Sequence, residues 1–99
     1  MKAEIFNFKQ WVTATDKAYL KNALSDLLKK SGFQVLDYCE HDFIPFGFTG
    51  LWLISESHLA VHTWPEEGKS YIELSSCNAK KQQLFEKFFD NKFVEAPCK

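Results

Sequence analysis

Residues 55–66 carry the sequence SESHLAVHTWPE, in which histidines, serines and carboxylates interrupt an apolar, strand-forming pattern. Successive side chains of a β-strand point to opposite faces of its sheet. One face of a strand at 57–64 would hold His58, Ala60, His62 and Trp64, and the other would hold Leu59, Val61 and Thr63. We expect the second set to pack in the core and the first set to form a functional surface.

Residues 71–77, with the sequence YIELSSC, show the same alternation. Ile72 and Leu74 share one face of the predicted strand. The opposite face carries Tyr71, Glu73, Ser75 and Cys77. We predict that this strand lies beside the strand at 57–64, so that His62 and Cys77 belong to one polar face.

The rest of the chain alternates strand and helix patterns. Further strands are predicted at 3–8, 33–43 and 48–55, the second long enough to contain a bulge. The first helix, which Gly32 ends, should bury a stripe of side chains at helical spacing: Leu20, Ala23, Leu24, Leu27 and Leu28. The second helix follows Asn78 and should bury Leu84, Phe85, Phe88 and Phe89. Phe93 and Val94 are expected to add an edge strand.

This β-α-β-β-β-α order predicts one α+β domain over residues 1–99. The expected architecture is a two-layer sandwich in which both helices cover one face of an antiparallel sheet. Ten Phe, three Trp and three Tyr exceed what one small core needs, which indicates a homodimer.

Charge and cysteine content exclude several classes of protein. The chain has 12 basic and 13 acidic residues, a net charge of −1 and no basic stripe, so we expect no nucleic-acid partner. No apolar run is long enough for a signal peptide or membrane span, and we expect a cytoplasmic protein. Cys39, Cys77 and Cys98 lack paired spacing, which favours free thiols.

Residues 55–66, the preceding segment FIPFGFTG at 43–50 and the following Cys77 together resemble the prokaryotic S-adenosylmethionine decarboxylase proenzymes. These are self-processing, pyruvoyl-dependent enzymes. The resemblance implies a dimer whose sheets face each other, with helices outside and active sites built from both protomers. The chain departs from the family at Ser76-Cys77-Asn78, where Thr-Cys-Gly is usual.

The resemblance implies autocatalytic serinolysis between Glu56 and Ser57. The products would be a 1–56 chain and a 57–99 chain that begins with the pyruvoyl cofactor made from Ser57. His62 stands at the family's processing-base position, and Thr49 at a hydroxyl position that supports processing.

For turnover, the resemblance implies that the substrate amine forms a Schiff base with the pyruvoyl group and loses carbon dioxide. The product would be the aminopropyl donor of spermidine biosynthesis. Cys77 matches the proton-donating acid. Four further positions match substrate-binding residues: Phe43, His62, Trp64 and Glu66. We expect no metal site.

Other functions remain open on the sequence alone. A related pyruvoyl-dependent decarboxylase would act on ornithine or arginine, although Phe43, Trp64 and Glu66 favour a nucleoside substrate. An uncleaved regulatory homologue would pair with an active partner. His58 and His62 could form a metal site, with Cys39, His41 and Cys77 as further candidate ligands, but the strand spacing holds the two imidazole rings far apart. Lys80 and Lys81 are expected to be solvated.

Overall fold

The computed structural model describes residues 3–94. Five strands form its sheet: β1 (Phe6–Val12), β2 (Val35–Asp42), β3 (Phe48–Ile54), β4 (Ser57–Trp64) and β5 (Lys69–Ser76). Two α-helices, α1 (Lys17–Lys30) and α2 (Ala79–Phe89), follow β1 and β5. A short 3-10 turn covers Pro65–Glu67, and a π-helical turn covers Asp90–Val94.

The sheet has the strand order β1-β5-β4-β3-β2, and every neighbouring pair is antiparallel. Both helices contribute to a single buried cluster with one face of the sheet. Its members include Leu24, Leu28, Leu59, Val61, Phe85 and Phe89. The predicted two-layer α+β sandwich is confirmed. Within residues 3–94, neither helix combines the length and the apolar composition that crossing a membrane requires.

Helix α1 begins at Lys17. Asp16 is the N-cap, and its carboxylate accepts a hydrogen bond of 2.9 Å from the backbone N–H of Tyr19. All five predicted core side chains of this helix are buried. Gly32, at φ +90°, follows the C-cap Ser31 and allows the chain to leave the helix.

The second half of the chain corrects two predictions. In α2, Phe85 and Phe89 are buried as expected, but Leu84 is exposed and Gln82 is buried in its place. Residues 90–94 form the π-helical turn rather than an edge strand, because the Phe93 ring packs 4.6 Å from the Phe89 ring instead of extending the sheet. Cys98, which was expected to be a free thiol, lies outside the described residues.

Strand positions are close to the predicted ones. Strand β1 begins and ends later than the predicted 3–8, and β2 contains the expected irregularity, between Val35 and Asp37. The inward side of β2 is joined to α1 by Glu40. Its carboxylate lies 3.0 Å from the Lys21 ammonium and also contacts Lys17. Bonds from Lys17, Lys21 and the Tyr38 hydroxyl lower the pKa of Glu40 to about 2.

The loop between β2 and β3 is held against β4 at one glycine. The backbone N–H of Phe43 donates to the carbonyl of Gly47 at 2.8 Å. Gly47 has φ +94°, and a Cβ atom there would lie 2.8 Å from the carbonyl oxygen of Thr63. Both the left-handed backbone and the close approach therefore require glycine.

We expect Gly47→Ala to lower the free energy of unfolding by about 3 kcal/mol, since it adds left-handed strain and a backbone clash. The matched control is Gly68→Ala. Gly68 also has a positive φ, +67°, but no atom lies within 4 Å of its Cβ position. The control should cost about 1 kcal/mol. Urea unfolding measures both values, and equal losses would contradict the role of the Thr63 contact.

Candidate active site

The β3–β4 connection is a two-residue turn at one end of the sheet. Ile54 pairs with Ser57, which leaves Ser55 and Glu56 in the turn. Glu56 has φ +58°, and it is the one residue besides glycine within the described chain that adopts a left-handed backbone. This conformation costs about 1 kcal/mol in a residue with a side chain. The peptide bond predicted to be cleaved thus follows a strained residue.

Ser57 is the first residue of β4 and is only 9% exposed. It pairs with Ser76, the last residue of β5, and lies on the core side of the sheet with Leu59. The Ser76 hydroxyl accepts a hydrogen bond of 2.9 Å from the backbone N–H of Asn78, which is the N-cap of α2. The start of β4 is therefore braced by the junction between β5 and α2.

Cys77 follows β5 and meets Glu56 across the end of the sheet. In the register that pairs Ser57 with Ser76, Glu56 and Cys77 are the next opposite positions. The thiol donates to Glu56 Oε1 at 3.2 Å. This hydrogen bond, with smaller effects of desolvation and of the carboxylate charge, raises the pKa of Cys77. The side chain that the sequence predicts to be an acid is thus kept in its protonated form.

A cavity of about 260 Å³ opens at this end of the sheet. We call it the Ser57 cavity, and the lining residues that matter here are Phe33, Glu56, Ser57, Cys77 and Lys81. Lys81 was expected to be solvated, but its stem packs near Gly32 and its ammonium lies 5.9 Å from the Phe33 ring. The sequence signal for this position was the N-cap: Lys81 lies three residues after Asn78, in the first turn of α2.

A second cavity of about 360 Å³ lies at the opposite end of the sheet. We call it the His62 cavity, and it is lined by all the other predicted site residues: Phe43, Thr49, His62, Trp64 and Glu66. Phe46 and Thr63 also line it and were not predicted there. Thr63 was assigned to the core, and it is indeed buried, with its hydroxyl accepting from the Phe48 N–H at 2.9 Å.

His62 is oriented by a neighbouring strand. Thr49 pairs with His62 between β3 and β4, and Thr49 Oγ1 lies 2.9 Å from His62 Nδ1. When Nδ1 carries the hydrogen and donates to Thr49, the lone pair of Nε2 is free to accept a proton. The pair can therefore present a base to the His62 cavity.

The two clusters do not meet within one chain. Five residues of extended strand separate Ser57 from His62, which is roughly 16 Å. Strands β4 and β5 are neighbours as predicted, and His62 lies on the face away from the helices. Cys77, however, comes just after the far end of β5. The chain brings Cys77 to Glu56 rather than to His62.

A family model described as S-adenosylmethionine decarboxylase matches residues 3–96. The chain belongs to the S-adenosylmethionine decarboxylase family. The S-adenosylmethionine decarboxylase proenzyme of Clostridium tetani (strain Massachusetts / E88) is 39% identical over 75 residues, which are 76% of this chain and 59% of that protein. The proenzyme of Prochlorococcus marinus (strain MIT 9211) is 38% identical over 66 residues, 67% of this chain and 54% of that relative.

The chain thus spans about half the length of the curated relatives that it matches. Among solved structures, the crystal structure of the adenosylmethionine decarboxylase from Aquifex aeolicus VF5 has the same fold. It gives a TM-score of 0.75, with 19% sequence identity, over 93% of this chain and 82% of that chain. The resemblance noted in the sequence is confirmed at the level of family and fold.

We expect Thr49→Val to change the ring nitrogen signals of His62 in long-range ¹H–¹⁵N NMR spectra, because Nδ1 loses its hydrogen-bond partner. Thr49→Ser retains the hydroxyl and should preserve the original signals. His58, on the same strand, serves as the internal reference. Unaltered His62 signals in Thr49→Val would contradict the role of this contact.

Proposed function

We propose that the chain is a self-processing S-adenosylmethionine decarboxylase whose pyruvoyl cofactor derives from Ser57. The observation that carries the proposal is that each processing and binding side chain expected from the sequence lines one of two cavities on the same sheet. The decarboxylated product would serve as the aminopropyl donor in spermidine biosynthesis.

Processing would begin at the Glu56–Ser57 bond. The Ser57 hydroxyl attacks the carbonyl carbon of Glu56, and the peptide C–N bond gives way to an ester. A base then removes the α-proton of Ser57 while the Cβ–O bond breaks, which leaves the carboxylate of Glu56 as a new C-terminus. Water replaces the nitrogen, which departs as ammonia, and chain 57–99 begins with a keto group. The left-handed backbone of Glu56 supports cleavage here because breaking the bond releases its strain.

His62 is the base that fits this step, and Thr49 holds its ring. Because His62 lies roughly 16 Å along β4 from Ser57, it cannot reach the α-proton of Ser57 in its own chain. A second copy removes this difficulty. If two uncovered sheet faces pack together around a two-fold axis that crosses the strands near Ala60, His62 of one copy lies over the Ser57 end of β4 in the other.

The uncovered face of the sheet supports such a pairing. A sheet face in contact with water normally carries polar side chains. On this face, however, Leu51 and Leu53 of β3 are 39% and 51% exposed. Trp11, which packs 5.6 Å from Trp64, is a further exposed apolar group on this face. Five strands of seven or eight residues present a face on the order of 600 Å², comparable to one side of a small stable interface.

The His62 cavity suits a nucleoside. Its volume of about 360 Å³ is within the usual range for small-molecule sites. Phe43, Phe46 and Trp64 offer aromatic faces for a purine and for a sulfonium cation. Glu66 supplies a carboxylate that can accept hydrogen bonds from ribose hydroxyls. These features favour S-adenosylmethionine over ornithine or arginine, which have no aromatic ring to stack.

The Ser57 cavity can hold the substrate carbon atom that loses carbon dioxide. The pyruvoyl group would supply an electron-withdrawing carbonyl that accepts the electron pair released with carbon dioxide. Cys77 would then return a proton to the substrate carbon, and its hydrogen bond to Glu56 favours the thiol form that this step needs.

We expect intact mass spectrometry under denaturing conditions to find two species, residues 1–56 and a pyruvoyl-blocked 57–99. Ser57→Ala should give one full-length species without decarboxylase activity, because it lacks the nucleophile and the cofactor. Cys77→Ala should be cleaved normally but lose turnover, because it lacks the acid. Cys39→Ala is the matched control and should retain both properties.

Two results would contradict the proposed function. Release of carbon dioxide from S-adenosylmethionine by Ser57→Ala would show that the pyruvoyl group is not the cofactor. A parent chain that stays full-length after long incubation would favour an uncleaved regulatory homologue.

We expect a mixture of two inactive variants to regain cleavage if the site is shared between copies. The His62→Ala chain retains Ser57 but lacks the base, and the Ser57→Ala chain has the opposite defect. After co-refolding, intact mass spectrometry should show cleavage of the His62→Ala chain only. The control replaces Ser57→Ala with the double variant Ser57→Ala/His62→Ala, which should restore nothing.

Cleavage of the isolated His62→Ala chain would show that His62 is not the processing base. An uncleaved mixture, with each variant folded and dimeric, would contradict a site composed of two copies.

A further inference from the structure

The Glu56 side chain has a contact that the cleavage reaction does not require. Serinolysis uses the backbone carbonyl of Glu56, whereas its carboxylate turns toward Cys77 and accepts a hydrogen bond from the thiol at 3.2 Å. The contact follows from the strand register, since Glu56 and Cys77 occupy the next opposite positions after Ser57 and Ser76. It joins the residue before the cleaved bond to the proposed proton donor.

We propose that the Glu56 carboxylate is a positioning group for Cys77, which holds the thiol hydrogen in place and keeps this side chain a proton donor rather than a nucleophile. The catalytic half of this inference rests on the proposed decarboxylase function. The contact itself can be tested without any decarboxylation.

The charges around Cys77 support this role. Glu56 faces the thiol from the β3–β4 turn, and Lys81 lines the same cavity from α2. The Lys81 ammonium lies over the Phe33 ring, and the groups at the ends of β4 and β5 are the neutral Ser57 and Ser76. A thiolate at this position would lose its hydrogen bond and stand beside a carboxylate, so the pKa of Cys77 is raised.

Cleavage would strengthen the effect of Glu56 on the protonation of Cys77. Once the Glu56–Ser57 bond is broken, Glu56 is a C-terminal residue that carries two carboxylates beside the same thiol. The reaction that forms the cofactor would therefore add negative charge next to the acid. Glu56 would therefore couple the processing reaction to the protonation of Cys77.

The first test uses the Ser57→Ala background, which keeps every chain uncleaved as in the structure. The rate of alkylation by iodoacetamide is followed against pH at the Cys77 peptide by mass spectrometry, with Cys39 as an internal reference thiol. Glu56→Gln keeps the size of the side chain but removes its charge. We expect several-fold faster alkylation of Cys77 near neutral pH and a profile shifted to lower pH, because a thiolate forms more readily.

Two further variants separate this contact from a general loss of charge. Glu73→Gln removes a carboxylate from β5 four residues away, roughly 13 Å along the strand, and should leave the Cys77 profile in place. Glu56→Asp retains the charge and should give a profile closer to the parent. Thermal unfolding checks that each variant is folded. Identical Cys77 profiles in the parent and in folded Glu56→Gln would overturn the proposal.

The second test uses the chain with Ser57 intact and normalises turnover to the cleaved fraction found by mass spectrometry. In Glu56→Gln, the decline of kcat on the alkaline side should begin at lower pH, because Cys77 loses its proton sooner. An alkaline limb that does not move would overturn the catalytic half even if alkylation changes. A shifted alkylation profile in a chain that neither cleaves nor decarboxylates would support the contact and refute the proposed function instead.

Discussion

The antiparallel register of β3, β4 and β5 is the constraint on which both cavities depend. One register between β3 and β4 places Thr49 beside His62, and one register between β4 and β5 places Cys77 opposite Glu56. A slip of a single residue would turn His62 into the core and Leu59 out of it. Complete burial of Leu59, Val61, Ile72 and Leu74 against the helices prevents such a slip. The same apolar contacts that stabilise the sheet therefore set the geometry of the polar groups.

Local patterns were sufficient to predict both helices, the five strands of the sheet and most of their buried faces. The stripe from Leu20 to Leu28 has helical spacing and is buried as expected, and Asp16 and Asn78 cap the helices. Strand β4 has its predicted bounds because Pro65 and the turn at Ser55–Glu56 limit it on both sides. These features depend on residues close in sequence. A contiguous motif could also identify the family, since its spacing is fixed by the same strands.

Contacts between distant residues were not predictable in this way. The hydrogen bond from Cys77 to Glu56 spans 21 positions and depends on a register that no local pattern determines. Gln82 replaces Leu84 in the core, where its amide nitrogen donates to the Leu74 carbonyl at 3.4 Å. Phe93 packs on Phe89, four residues earlier, rather than extending the sheet. The positive φ of Glu56 is a consequence of closing a hairpin with two residues, neither of which is glycine.

The separation of Ser57 from His62 gives the proposed two-copy site a regulatory consequence. A single chain holds a strained bond at one end of β4 and the proposed base at the other, so dilution would protect the bond from cleavage. Assembly would bring a base to each strained bond at the moment when the exposed Leu51 and Leu53 are covered. Burial of the sheet face and formation of the cofactor would then be one event. The cofactor would form only inside an assembled, shielded site, where its reactive carbonyl is protected from other nucleophiles.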